Sequence, residues 1–172
     1  MRNKYIYRQN EAIELKNEIG NNDIIMVSGF FDPLHGGHID NIWDATDWAS
    51  DHSRVVIVVN GDNAARRKKG YVLIPVEHRL KVLSTIRGVD YVIDFDADTM
   101  VEAINILKPA WFFKGGDRQL NNLNPLEVEA AKECNCHITV GKRSAGKTGS
   151  SSNFFFNAYN EFTTYNLDSG GR

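Results

Sequence analysis

The chain has 172 residues, 42% of them hydrophobic and 24% charged, with a formal net charge of −2. That length suits one compact domain with a full core. A near-neutral balance excludes whole-molecule attraction to nucleic acid or anionic lipid, so any basic function has to be local, and no apolar run reaches the ~20 residues of a spanning helix.

The first twenty residues, "MRNKYIYRQNEAIELKNEIG", carry neither an apolar h-region nor a small-residue cleavage site, and the expected location is cytoplasmic. Residues 10–19 space Ala12, Ile13, Leu15 and Ile19 as a short amphipathic helix, stopped by Gly20. "IIMVSG" reads as a buried strand, followed by the loop "GFFDPLHGGH" and the helical spacing of "IDNIWDATDWAS", where Trp43 and Trp48 are expected to pack into the core. "RVVIVVN" is the clearest buried strand, because a run of apolar, mostly β-branched residues suits a sheet covered on both faces. The basic stretch "RRKKG" is expected in a loop, with a helix from Pro75 through Ile86 and a third strand at "VDYVIDF".

Asp98 or Thr99 can cap the helix "MVEAINILK", which Pro109 ends. "AWFFK" is a fourth strand, with Trp111, Phe112 and Phe113 read as core. Asn124 and Pro125 launch "LEVEAAKEC" as cap and first helical residue. "HITV" is a fifth strand, and "SSSNFFFNAY" begins a last helix with serine caps. Cys134, Cys136 and His137 offer three metal ligands without a fourth at usable spacing, and are read as ordinary reduced thiols beside a histidine.

Alternation of strand and helix without hairpin signals predicts an α/β fold with a single, doubly wound, parallel five-stranded sheet over residues 1–162, and a flexible tail over 163–172. Ligands bind such sheets at the carboxyl ends of the strands. There lie "GFFDPLHGGH", "NGDNAARRKKG", "KGGD" and "GKRSAGKTGSSSN". Gly29 permits a tight turn, and Gly36 and Gly37 let backbone approach a ligand. His35 and His38, three residues apart at a helix start, can offer imidazole donors to one phosphate. Two such histidines favour phosphate contact over incidental capping. Residues 141–148, "GKRSAGKT", also fit the P-loop pattern, but only 24 residues follow Thr148, too few for the remaining strands of that fold. Physically, Lys142, Arg143 and Lys147 attract phosphate at a helix N-terminus under either reading.

"GFFDPLHGGH" has the form of the signature of the HxGH nucleotidyltransferase superfamily, and "RKKG", "PVEHRLKVLSTIRGVDYVIDF", "KGGD" and "SSSN" follow in that superfamily's order. The chain most resembles the adenylyltransferase part of bifunctional ADP-heptose synthases. It is also similar to glycerol-3-phosphate cytidylyltransferases across "EHRLKVLSTIRGVD". Phe31, Pro33 and the serine run depart from the usual residues of those two families. The resemblance implies a Rossmann-like fold and transfer of a nucleoside monophosphate from a triphosphate, ATP favoured, to a small phosphorylated metabolite such as a sugar 1-phosphate. Use of CTP with glycerol 3-phosphate is the alternative, and an inactive nucleotide-binding module a further one.

The resemblance also implies roles. His35 and His38 contact the triphosphate and Lys69 reaches the reacting phosphate. Arg79 organises that region, while Ser150, Ser151 and Ser152 hold the outer phosphates. Gly29, Phe30, Phe31, Asp32 and Gly37 run along the nucleotide, Lys114, Gly115, Gly116 and Asp117 lie near base or ribose, and Arg143 adds charge. Asn60, Asp62 and Lys147 are weaker candidates for the acceptor. Mg²⁺ is expected through the triphosphate rather than a carboxylate cage. No nucleic-acid or membrane partner is expected, and "NFFFNAYNEF" suggests a homodimer face.

Overall fold

The structure is a computed structural model that describes residues 5–115, 122–143 and 150–168. Six strands form one sheet: β1 (Ile6–Tyr7), β2 (Asp23–Gly29), β3 (Ser53–Asn60), β4 (Tyr91–Phe95), β5 (Trp111–Lys114) and β6 (His137–Val140). Their order is β1-β4-β3-β2-β5-β6, with every pairing parallel. Seven α-helices connect and follow them: α1 (Ala12–Ile19), α2 (Gly36–Trp48), α3 (Asp62–Lys69), α4 (Val76–Leu83), α5 (Val101–Leu107), α6 (Pro125–Glu133) and α7 (Ser151–Asp168).

Alternation along the strands builds two cores. Ile24, Met26, Val56, Val58 and Phe112 face α1, α5 and α6. Ile25, Val27, Val55, Ile57, Val59 and Phe113 face α2 and α4. Both faces of β3 are covered, so Val55 through Val59 are at most 1% exposed, each such side chain contributing roughly 1.5–3 kcal/mol of gross transfer free energy. Chain order reverses between β2 and β5, which opens the ligand crevice of a doubly wound sheet at their carboxyl ends.

Four features correct the sequence reading. The sheet has a sixth strand, β1, because two residues are too few to show a period. Pairing of Ile6 with Val92 holds it in place. "RRKK" belongs to α3 rather than to a loop. Its cap is tertiary: the Asp96 carboxylate accepts the Ala64 N–H at 2.7 Å, and a Cβ at Gly61 would lie 2.7 Å from the Asp96 Cβ. The basic residues then fill the last turn, where the helix dipole favours cations, and Gly70 closes it at φ +82°. Helix α5 takes no cap from Asp98 or Thr99; the Met100 N–H instead donates to Glu127 at 2.9 Å. Trp43 and Trp48 are about half exposed, not core.

Asn124 caps α6, its side-chain oxygen accepting the Leu126 N–H at 2.9 Å with Pro125 at the helix start. Helix α7 runs to Asp168, past Thr163, where the sequence suggests a tail. Cys134 and Cys136 are free thiols, and burial pushes the Cys136 thiol up to about 12. Among the described residues no helix is long and apolar enough to cross a membrane.

Candidate active site

Strand β2 delivers the chain into a loop shaped by its own side chains. Phe31 adopts φ +52° and buries its ring against Gly29, where an added Cβ would approach that ring to 3.2 Å. Asp32 is fully buried, and its carboxylate accepts the Leu73 N–H at 3.0 Å and the Ile74 N–H at 2.8 Å. Gly29, Phe31 and Asp32 therefore build the loop and tie it to residues 73–74.

Helix α2 starts earlier than its apolar spacing suggests, at Gly36, with His35 as its N-cap and His38 in the first turn. The His35 N–H donates to His38 Nδ1 at 3.3 Å, and the two imidazoles stand 3.8 Å apart between centroids. With Nδ1 accepting, the His38 proton sits on Nε2. Desolvation by burial, then repulsion from His35 and Lys69, lowers the His38 pKa to about 3. His38 is a neutral donor at physiological pH. Gly37 makes room for the pair, since a Cβ there would come within 3.3 Å of the His35 ring.

Lys69, at the end of α3, completes the cluster. Its ammonium donates to the Asp32 carbonyl at 3.3 Å and lies 4.7 Å from the Phe30 ring centroid. Its pKa is lowered by desolvation and by the nearby Arg79, against the opposing pull of Asp32. A partly desolvated cation beside two imidazoles is a place where a phosphate would restore lost solvation.

Arg79 sits beneath this cluster, 2% exposed. Its guanidinium donates to the carbonyls of Ile74 at 2.8 Å, Phe30 at 2.6 Å and Asn60 at 2.8 Å, and to the Asp62 carboxylate at 2.6 Å. It does not pair with Glu77. Arg79 knits the ends of β2 and β3 to the segment before α4. Asn60 and Asp62, read as acceptor contacts, belong to this scaffold: Asn60 donates to the Ala97 carbonyl at 3.2 Å, and Asp62 also accepts the Val76 N–H at 2.9 Å.

The other side of the edge is built differently. The Lys114 side chain follows Phe112 to the α5–α6 face, where its ammonium meets Glu127 at 2.6 Å and lies 4.0 Å from the Phe112 ring. The histidines stand on the α2 face, so the structure does not bring Lys114 to them. Glu127 escaped the sequence reading; an acidic residue in the first turn of α6 gave no hint of a lysine 13 positions earlier. Gly115 follows at the strand end, and Gly116 and Asp117 lie outside the described residues, as does Lys147.

Arg143 is engaged by Asp44 and Asp47 on the outer face of α2, and its N–H donates to Asp44 at 2.8 Å. Ser151 donates to the Pro33 carbonyl at 2.9 Å, and the Ser152 hydroxyl meets the Tyr71 hydroxyl at 3.2 Å. Ser150 accepts the Asn153 N–H at 3.2 Å, the serine cap expected there. Ser151 fastens the start of α7 to the histidine loop, and Ser152 fastens it to Tyr71. Tyr71, against Ser152 and Phe155, and Phe154, against His35, also escape the sequence reading, since only tertiary packing brings them there.

The parallel sheet and the imidazole pair at the N-terminus of the helix after β2 are the arrangement that the resemblance to nucleotidyltransferases of Rossmann-like fold leads one to expect. The cytidylyltransferase-like family model matches residues 26–161, and the chain belongs to that family. The matched range includes residues 141–148, so the P-loop-like pattern lies inside the family's own domain. Among curated relatives, bifunctional protein HldE of Blochmanniella floridana is 38% identical over 102 residues, covering 58% of this chain and 21% of that protein. The HldE of Pectobacterium carotovorum is 33% identical over 125 residues, covering 72% of this chain and 24% of its own. The chain thus spans about a fifth to a quarter of the relatives it matches. The lipopolysaccharide core biosynthesis protein of Thermoplasma volcanium superposes with TM-score 0.58 at 24% identity, covering 70% of this chain and 97% of that one. A pantoate–β-alanine ligase from Francisella tularensis gives 0.57 at 16% identity, with 87% and 72% covered. At those identities the two structures speak for the fold alone.

Proposed function

We propose that the chain transfers a nucleoside monophosphate from a nucleoside triphosphate, ATP favoured, to a small phosphorylated metabolite such as a sugar 1-phosphate. The observation that carries this reading is the meeting of His35, His38 and Lys69 at the N-terminus of α2, beside the crevice between β2 and β5. An acceptor phosphate oxygen attacks the α-phosphorus, the bond from that phosphorus to its bridging oxygen breaks, and pyrophosphate leaves. No protein nucleophile is needed. Catalysis then rests on position and on donors aimed at developing charge.

His38 donates through Nε2 without changing charge, His35 provides the second imidazole, and Lys69 supplies the cation. Free N–H groups of the first turn of α2 add to the same field. The carboxylates beside the cluster are committed, Asp32 to two backbone amides and Asp62 to Arg79. The side chains present thus suit phosphate better than a cation. Mg²⁺ fits here as an ion carried by triphosphate oxygens and water, where it would neutralise charge on the departing pyrophosphate.

The test is pyrophosphate release with ATP, CTP, GTP and UTP against a panel of sugar 1-phosphates and glycerol 3-phosphate. Turnover with ATP and a sugar 1-phosphate is expected. Preference for CTP with glycerol 3-phosphate would replace the donor and acceptor while keeping the reaction, and no turnover in any combination would leave a nucleotide-binding module in its place.

A further inference from the structure

Four rings form a ladder from the core to the surface. Phe31, 2% exposed, lies 5.0 Å from His38, which lies 3.8 Å from His35, which lies 5.6 Å from Phe154 of α7. Phe154 is 46% exposed, so the ladder ends in solvent. The 5.0 and 5.6 Å spacings fall within the range of attractive aromatic pairs, and the two imidazoles stand closer still. On the same helix, Phe156 and Tyr159 set their rings against Phe155 instead.

The position of Phe154 is held from several directions. Ser151 donates to the Pro33 carbonyl at 2.9 Å, within the histidine loop. The Tyr71 ring stacks on Phe155 at 5.0 Å while its hydroxyl meets Ser152 at 3.2 Å. The Phe154 N–H donates to the Ser150 carbonyl at 3.0 Å, keeping the first turn of α7 regular. Contacts from the loop after β2 and from the segment after α3 thus converge on the turn that presents this ring.

From this geometry we infer that Phe154 is a positioning residue for nucleotidyl transfer. It packs beside His35, which also meets His38, and holds the imidazole plane at the angle from which it reaches the triphosphate. An imidazole flanked by one ring can swing about its side-chain torsions; one flanked by two must displace a neighbour to do so. Fixing a donor before the reaction matters because small misplacements of catalytic groups cost large factors in rate. The phenyl ring itself contributes no proton and no charge. Because the residue is half exposed and outside both cores, its removal leaves the fold intact.

The inference rests on the reading that His35 acts on the triphosphate. It is tested by steady-state pyrophosphate release from the full chain with Mg²⁺, using whichever triphosphate and acceptor of the panel the wild type turns over. Phe154→Ala is expected to lower kcat roughly 3- to 10-fold, with KM for the triphosphate unchanged within about twofold and the same melting temperature as wild type. Phe154→Tyr, which keeps the ring, should restore the rate. Unchanged kcat in Phe154→Ala overturns the inference, as does a rise in KM alone, which would make the ring a nucleotide contact. His35→Ala separates the two ideas: a loss there with none in Phe154→Ala defeats the positioning role alone, whereas no loss in His35→Ala defeats the catalytic reading and this inference with it.

Discussion

Lys69 and Lys114 stand on opposite faces of one sheet edge, and they differ in the partner that their ammonium meets. Lys114 has a carboxylate, Glu127, at 2.6 Å, whereas Lys69 has a backbone carbonyl, that of Asp32, at 3.3 Å. A cation neutralised by a carboxylate has little left to gain from a phosphate. One hydrogen-bonded to a carbonyl, with Asp32 acting on it only through space, and partly desolvated has more to gain. Beneath Lys69, Arg79 shows the extreme case, with its guanidinium buried and satisfied by three carbonyls and Asp62. The α2 side of the edge is therefore a candidate site resting on a charged scaffold. On the α5–α6 side the Glu127 carboxylate ties Lys114 to the start of α5.

The comparison breaks first at Arg79. Arg79→Ala should cost about 3–5 kcal/mol of unfolding free energy in urea titrations, because it strands a carboxylate and three carbonyls beneath the site. Arg79→Lys should recover little, as one ammonium cannot serve four acceptors spread over a planar fork. A loss below about 1 kcal/mol would mean that the scaffold does not depend on this residue.

The second break is at Lys114 and Glu127. Each single change, Lys114→Met or Glu127→Gln, should destabilise by roughly 2–3 kcal/mol, somewhat under the value for a fully buried pair, and the double change should cost less than the sum. Additive losses would show that the two charges do not depend on each other. Triphosphate affinity should hold within about threefold in the double variant, whereas a larger loss would return Lys114 to the nucleotide site.

The third prediction sharpens the comparison through pH. His38 has its pKa lowered from 6.5 to about 3, so between those values the unfolded chain takes up a proton that the folded chain refuses. Its contribution to stability is constant above pH 6.5 and falls as the pH drops toward 3. Urea titrations from pH 8 to pH 4 should show this decline, shallower in His38→Asn. Identical slopes in the two proteins would mean that His38 is not held neutral by the fold.

Much of the fold was legible because it rests on local periodicity. The valine-rich run of β3, the Asn124–Pro125 start of α6 and the strand-helix alternation are set by near neighbours. Helix α3 and strand β1 were not, since one depends on Asp96 from a distant strand end and the other on two residues of pairing with β4. The site divides the same way. His35 and His38 stood out because their spacing, glycines and following helix lie within ten residues.

By itself the sequence determined the parallel α/β class, the family signature and the residues that could meet a phosphate. It did not determine which of the basic residues remain available for one. Whether a lysine or arginine faces a ligand or a carboxylate depends on what another strand or helix brings within 3 Å, and that distance exists only after the sheet has closed. Asp62 claimed Arg79, Glu127 claimed Lys114, and Asp44 with Asp47 claimed Arg143. Lys69 was left beside the histidines.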